Sequence, residues 1–480
     1  MKQLLLICSF LLCAAASLPA QTVPLTLGKH TQPPVVVEIP DEQKVILFFY
    51  SDHNGKAEVC AVESDSTLAM RRITPNVVLD APFGEVNNKL IGTFHQQGTS
   101  KYFLYLKIGK QQIWSVILDR SDFSIKTAQV VDKPRNTLTM GGIQEGEKFY
   151  MLVRERGEKK GGVLHVYETS DGATFAHHPI ESQSALPLFA KGYDPIFPEP
   201  DVELDAETLA KNKDKIFTRP GHILFLTDTE FEANGTDNFR ASVTTLDLST
   251  YTLSHRFYPF FDGLQNERNR MSSFIFEGKL FQMGFKNDVF GMKVTDLTDD
   301  KVLFSRILEE NDSLNLLLNT TVSVPGRGII STERSFETPD KFAKKLMRFI
   351  PYIQVRRSGD EYIIGMGGYV EVKNSGAPMA GPMGGFGATG TGVYFSTGGY
   401  NYEQITFFYS VLKAGDFSHS DKFIQRTIQE QIKNLSDTDA LWWTNLRAPG
   451  TFHFLGRFYF GEYSRSQDGY VFKRLKEITR

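Results

Sequence analysis

The sequence predicts an all-β chain assembled from repeated antiparallel hairpins, and three observations predict it. Aromatic residues are abundant, with 38 Phe and 18 Tyr in 480 residues, and such side chains suit half-buried pleated surfaces better than helix faces. Strand-length runs rich in aromatic and β-branched residues recur, among them KYFLYLK at Lys101, KFYMLVRE at Lys148, HILFLTD at His222 and KLFQMGF at Lys279. Finally, one turn signal closes four groups of such runs: an acid, any residue, a hydroxyl residue, then a turn former.

The first residues stand apart from that pattern. MKQ, the apolar run LLLICSFLLCAAAS and the small residues of SLPAQ form the layout of a secretory signal peptide over residues 1–20, with cleavage expected after Ala20. The run is too short for a permanent membrane helix, and no later stretch is apolar enough to span a bilayer. Cys8 follows Ile7 and Cys13 follows Leu12, so neither has the small preceding residue that lipidation requires. An exported protein, periplasmic or extracellular, is the expectation. With the leader gone, Cys60 is the only cysteine, so no intramolecular disulfide forms and the core alone must hold residues 21–480 together, which this length permits. A formal charge of −3 and the lack of any Lys/Arg block exclude the concentrated basic face that a nucleic acid needs.

The turn signal carries the most structural information. Asp119-Arg-Ser121-Asp122, Glu168-Thr-Ser170-Asp171, Asp247-Leu-Ser249-Thr250 and Asp296-Leu-Thr298-Asp299 share one form. Carboxylates and hydroxyls accept hydrogen bonds from nearby backbone N–H groups and so fix a chain reversal. The acids at 119 and 168, and those at 247 and 296, are 49 residues apart, whereas 168 and 247 are 79 apart. The excess is a Pro-rich, acidic insertion over residues 181–220, followed by the helix-like LAKNKDKIF. KLIGTFH, KYFLYLK, IWSVILDRSD and FSIKTAQVV form one four-stranded unit, with matching units near Leu138, Gly221 and Ser272. In these residues the chain resembles the β-propeller superfamily, across about half its length and without pointing to a named family. The resemblance implies a single ring of seven blades, with six or eight as neighbouring solutions. A pair of β-sandwich domains is the alternative that short strands and regular turns also permit.

The rest of the chain follows less regularly. VILFFY and AEVCAVES form a first hairpin around SDHNGK, and ITFFYSVLKAGDFS repeats WSVILDRSDFS with Lys413 where Asp119 stands. The last segment reads as two strands about Asp468-Gly469 that pair with the first blade and close the ring. Thr338-Pro339 opens a helix whose face carries Phe342, Leu346 and Phe349, and Ile424, Ile428, Ile432 and Leu435 form a similar stripe in a helix near residues 419–436. Residues 374–403 form a second insertion, rich in glycine.

Candidate chemistry is sparse. Gly385-Phe-Gly387-Ala-Thr-Gly390 matches a dinucleotide fingerprint but lacks the following helix that the mechanism needs, so a glycine-rich loop carrying Phe386 is the better reading. Glu230, Glu232, Asn234 and Asn238 imitate a calcium loop, yet its closing position is Ala241, and an Asn-Gly hairpin turn explains the segment. Asp194, Glu199, Asp201, Glu203 and Asp205 make the first insertion a solvated acidic loop with the means to touch a ligand. His177 and His178 are neighbours on a strand and point to opposite faces, so they cannot share an ion. His53 lies on a turn without a partner, and Cys60 reads as a small buried apolar residue. Trp442 and Trp443 offer a stacking surface, with one expected in the core. No metal site and no cofactor are expected, and GxSxG, HExxH, CxxC and GK[ST] motifs are absent from the sequence.

These readings favour a binding or scaffold module whose loops contact a protein, glycan or small ligand. One alternative is a glycan-acting hydrolase or lyase with carboxylates around the channel, which would require two of them in one pocket. Another is a structural part of a cell-envelope assembly, docked through the Ile424 helix.

Overall fold

A computed structural model describes residues 21–24, 34–82, 90–108, 111–155, 163–181, 195–198, 204, 206–233, 236–260, 269–286, 289–320, 322–325, 331–334, 338–373, 401–422, 424–426, 447–464, 469–475 and 478–479. The chain starts with β1 (Gln21–Pro24) and then lays down sheets in order. The first blade holds β2 (Val35–Ile39), β3 (Lys44–His53), β4 (Lys56–Ser64) and β5 (Met70–Ile73), with β6 (Val77–Pro82) beside β4. The second holds β7 (Leu90–His95), β8 (Lys101–Ile108), β9 (Gln112–Asp119) and β10 (Ser124–Asp132). The third holds β11 (Thr137–Glu145), β12 (Lys148–Glu155), β13 (Val163–Thr169) and β14 (Ala176–Glu181). Helix α1 (Ala206–Lys211) precedes the fourth, which holds β15 (Asp214–Arg219), β16 (His222–Ala233), β17 (Thr236–Asp247) and β18 (Thr252–Pro259). The fifth holds β19 (Asn269–Phe276), β20 (Lys279–Lys286), β21 (Val289–Asp296) and β22 (Val302–Leu308).

The sixth sheet breaks sequence order. Strands β23 (Val322–Pro325) and β24 (Ser331–Arg334) and helix α2 (Pro339–Leu346) come first in the chain, yet β23 and β24 form the outer edge beyond β25 (Ile350–Ser358), β26 (Glu361–Lys373) and β27 (Asn401–Lys413). The seventh is β29 (Arg447–Phe454), β30 (Arg457–Ser464) and β31 (Gly469–Leu475), with β1 as its outermost strand. The short β28 (Ile424–Arg426) pairs with β32 (Ile478–Thr479). The chain is a seven-bladed β-propeller.

Ring closure runs opposite to expectation. The last segment does not pair with the first blade; the N-terminal strand crosses instead to the last blade, Gln21 opposite Phe472 and Pro24 opposite Gly469. The last segment supplies three strands, so its open edge lacks only a fourth, which the nearest unpaired chain provides. The expected helix near 419–436 is also corrected at its start, because Ile424–Arg426 is a strand; residues 427–446 lie outside the described residues. In LAKNKDKIF the helix ends at Lys211, and Lys215, Ile216 and Phe217 belong to β15. Helix α2 follows its sequence pattern, with Phe342, Ala343 and Leu346 fully buried and Phe342 edge-on to Phe290 and Phe408.

Position within a blade dictates composition. The second strands are covered on both faces by neighbouring blades, so Val45 through Phe49 and Leu104 through Leu106 are wholly buried and the runs are continuously apolar. The fourth strands border solvent, and β18 alternates between exposed and half-buried side chains.

The turns from third to fourth strand all lie on one side of the ring, called here the turn face. Asp119 accepts Ser121 N at 2.9 Å and Ser121 Oγ at 2.7 Å, Asp247 accepts Ser249 N at 2.8 Å and Oγ at 2.6 Å, and Asp296 accepts Thr298 N at 2.8 Å. The residue after each acid donates its N–H to the turn joining the first two strands: Arg120 to Ser100 O (2.9 Å), Leu248 to Gly221 O (3.0 Å) and Leu297 to Gly278 O (3.0 Å). Ala414 does the same to Asp360 O at 2.8 Å, so the Lys413 copy keeps the geometry, with Asp416 accepting Ser418 N and Oγ. A further copy, Asp65-Ser-Thr67, closes the first blade with Thr67 N at 2.8 Å. The third blade differs: Asp171, not Glu168, bonds the turn, accepting Ala173 N at 2.8 Å and Thr174 N at 2.7 Å.

Each of these turns contains one residue with left-handed backbone: Leu68, Phe123, Gly172, Tyr251, Asp300 and Phe417. In five of the six that residue, and in the sixth its ring neighbour, meets the preceding blade. Leu68 packs with Phe454 and Tyr470 of the seventh, Arg72 of the first sits 4.3 Å over the Phe123 ring, and Gly172 O accepts Tyr105 Oη of the second at 2.9 Å. A side chain at Gly172 would run into Phe103, which explains glycine there. Tyr251 donates to Glu168 of the third blade, Asp300 accepts Tyr258 Oη of the fourth at 2.7 Å, and Phe417 lies against Tyr362, whose hydroxyl reaches Glu277 of the fifth at 2.7 Å. Five seams are thus latched at the left-handed residue itself, and the sixth through Tyr362 beside it.

Candidate functional site

The opposite side of the ring, the loop face, carries the connections from each fourth strand to the next blade and those between second and third strands. Both insertions and the extended hairpin of β16 and β17 leave from it. The eight turn residues named from sequence therefore lie on the face away from the long loops and act in the frame.

The described residues of the first insertion pack on the inner strands. Ile196 bridges to Lys215 alongside β15, donating to Asp214 O at 3.1 Å and accepting Ile216 N at 2.9 Å. The Phe197 ring presses on Gly141 of the third blade's innermost strand, where a Cβ would overlap it. Leu204 N donates to Gln354 Oε1 of the sixth blade at 3.0 Å, and Leu209 and Ala210 of α1 are buried in the core shared with that blade. Lys211 Nζ sits 5.1 Å over the Tyr369 ring. One segment touching the third, fourth and sixth blades lies across the channel mouth. Apolar side chains of the insertion find the inner strands, whereas the acids expected to form a solvated loop, Asp194, Glu199, Asp201, Glu203 and Asp205, lie outside the described residues.

Beneath α1 lies a cavity of about 310 Å³. Its walls come from α1 (Leu209, Ala210, Lys211), the start of β15 (Lys213, Asp214, Lys215), Asp228 of β16, the start of β19 (Arg270, Met271, Ser272) and the start of β25 (Ile350, Pro351). Asp214, Lys215 and Asp228 are buried, with exposures of 2%, 1% and 6%. Thr227 Oγ1 donates to Asp214 Oδ1 at 2.8 Å, which fixes that carboxylate. Asp228 Oδ2 accepts Ser273 N of the next blade at 3.0 Å and lies 3.8 Å from Lys215 Nζ, while Asp228 Oδ1 is buried without a hydrogen-bond partner. Burial holds the Lys215 amine below its usual range and the Asp228 carboxyl above its own. The arrangement offers one buried amine and one buried carboxyl oxygen with open hydrogen-bonding capacity, against a partly apolar wall.

None of these groups was singled out from sequence. The signals were present: Asp228 interrupts an apolar strand run, and Lys213-Asp-Lys215 opens an innermost strand. The residues named as ligand contacts, Asp194, Glu199, Asp201, Phe386, Trp442 and Trp443, lie outside the described residues, as do Glu203 and Asp205. So do the side chains of His53, Glu230, Glu232 and Asn238. His177 and His178 do point to opposite faces: His177 Nε2 meets His165 Nδ1 at 3.0 Å, and His178 stacks on Tyr251 with ring centroids 3.8 Å apart. Cys60 is buried, and burial pushes its thiol up to about 12. Among the described residues no cluster of three or more His, Cys, Asp or Glu is placed to hold a metal, and no helix is long and apolar enough to cross a membrane.

No family model matches the chain, and no curated protein matches it. Among solved structures, it is similar to the WD40 domain of SCAP from fission yeast (11% identity, TM-score 0.35, 96% of this chain and 90% of that one). It is similar also to the β-propeller domain of the Trilobed protease from Pyrococcus furiosus (11% identity, TM-score 0.30, 70% and 75%). An ACO/RPE65 chimera matches at 9% identity and a TM-score of 0.31 over 57% of this chain, which spans 61% of that protein's length. Likenesses this distant carry no function to this chain, whose architecture rests on its own strand pairing.

Proposed function

We propose that the protein is an exported propeller that binds a small ligand in the channel-mouth cavity. The observation that carries this reading is the cavity itself, roofed by the chain's own insertion and holding buried Lys215 and Asp228, one oxygen of which has no partner. A group left unsatisfied in the interior is costly unless something else supplies the bond. The insertion across the channel favours a compact ligand over a polymer threading the ring. Export is supported by the signal-peptide layout of residues 1–20.

The test is ligand-observed NMR with a panel of small sugars, alcohols, carboxylates and amides against the wild type and Ala210→Phe, which fills the cavity from α1. Compounds bound by the wild type and released by the filled variant support the reading. If two equally folded proteins bind the same compounds, the cavity is not the ligand site. A second reading, glycan-directed acid–base chemistry, draws on the presence of Asp214 and Asp228 in one cavity. It requires Asp214→Asn and Asp228→Asn each to abolish turnover of an aryl glycoside.

A further inference from the structure

We propose that the ligand of the channel-mouth cavity is a small aldehyde or ketone, which the Lys215 amine holds as an imine while Asp228 handles the proton. The inference rests on the cavity being the ligand site and adds the chemical class of what it takes.

Geometry separates Lys215 and Asp228 from an ordinary buried ion pair. Such a pair persists in the interior when the charges meet at hydrogen-bond distance and the remaining lone pairs are satisfied. Here Nζ and Oδ2 are 3.8 Å apart, Oδ2 is already engaged by Ser273 N, and Oδ1 has no partner. Both groups line a cavity with room for a ligand, at the lower end of the roughly 300–1,000 Å³ usual for small-molecule pockets. Burial displaces both groups toward their uncharged forms, and an uncharged amine is a nucleophile while an uncharged carboxyl is a proton donor. A carbonyl compound uses both groups as they stand.

The step balances without a further reagent. The Nζ lone pair forms a bond to the carbonyl carbon, the C=O π pair moves to oxygen, and a proton passes from nitrogen to that oxygen to give a carbinolamine. The Asp228 carboxyl then gives its proton to the hydroxyl, the C–O bond breaks, and water leaves as the C=N bond forms. An uncharged pair has become an iminium beside a carboxylate, an attraction that low-dielectric surroundings strengthen. Buried Leu209 and Met271 supply the apolar wall that limits access of water for the reverse hydrolysis.

The experiment treats the full folded chain at pH 7 with benzaldehyde and sodium cyanoborohydride, which fixes any imine as a benzylamine, and locates the added mass by peptide mapping. Lys215 is expected to be labelled at least about tenfold faster than Lys126, an exposed lysine on β10, because few ordinary lysines are uncharged at this pH. Asp228→Asn is expected to slow Lys215 labelling without changing that of Lys126. Benzyl alcohol, of similar shape but without a carbonyl, is measured in parallel by NMR against the wild type and Ala210→Phe. Benzyl alcohol bound in the cavity together with Lys215 labelling no faster than Lys126 overturns the imine and leaves the cavity reading intact. Neither binding nor preferential labelling overturns both.

Discussion

Leu68 is the clearest place to ask whether packing across a seam holds the repeated left-handed turn. Its φ is 61°, a conformation in which a side chain costs about 1 kcal/mol relative to glycine. It is also 2% exposed and shares one buried cluster with Phe454, Tyr470 and Phe472 of the seventh blade. Leu68→Gly removes that strain but also a buried leucine, a loss of about 2–5 kcal/mol in well-packed cores. The net expectation is destabilisation by about 1–4 kcal/mol. Asp300 holds the same backbone position in the fifth blade with φ 61°, but its side chain is 44% exposed and, among the described residues, bonds Arg256 and Tyr258. A surface pair is worth about 0–1 kcal/mol, so Asp300→Gly should lie within about 1 kcal/mol of the wild type. Equilibrium urea denaturation at unchanged slope reads both. A stabilised or neutral Leu68→Gly would refute the claim that the latch works through packing, since relief of strain would then be all that the residue contributes.

Acid should weaken the turn face. Asp119, bonded by Ser100 Oγ and by the Ser121 hydroxyl and N–H, is held down at about 2, below its unfolded value, so its contribution is complete above about pH 4 and disappears as pH falls toward 2. Urea midpoints at pH 7 and pH 3 should differ less in Asp119→Asn than in the wild type, with the variant's pH 7 midpoint the lower; equal differences would remove Asp119 from the account. Cys60 should not react with Ellman's reagent in the native protein at pH 8 and should react fully in concentrated guanidinium, because burial withholds the thiolate. Rapid native labelling would mean that the first blade opens readily. Gly141→Ala should drive Phe197 from its seat and speed proteolysis within the first insertion, and adding Phe197→Ala should slow it again; unchanged digestion would show that the contact does not hold the segment.

The sequence made the blades legible because their signals are local. A carboxylate bonding an N–H two residues on needs only its own turn, so Asp119, Asp247 and Asp296 announce three blades, and continuous apolar runs mark the strands sandwiched between neighbours. The copy at Asp65 is harder to see because its loop is one residue shorter, with Asp65 N bonded to Ala69 O where Asp296 N reaches Lys301 O. Glu168 carries the turn's lettering but bonds Lys148 and Tyr251, since its longer side chain reaches past its own loop to the seam. Long-range pairings leave no such mark. QTVP carries no strand periodicity and becomes one only because the last blade has a free edge. The site depends on this kind of encounter twice over, since Ser273 meets Asp228 from the next blade and α1 arrives from the insertion to meet the sixth through Lys211 and the shared core.

The two faces of the ring therefore divide the work for a physical reason. On the turn face short loops satisfy their own polar groups and tie each blade to the one before, so change there is felt as stability. On the loop face the connection after β14 is long enough to leave its own blade, and this first insertion reaches three blades at once. A segment so placed brings apolar cover over buried Lys215 and Asp228, and Asp228 Oδ1 loses water without gaining a partner. The cost of that burial is borne by a frame whose seams are closed at the other end of the ring. The same sequence feature that interrupts the repeat, the excess of residues between Glu168 and Asp247, is thus what gives an otherwise uniform ring a distinctive interior.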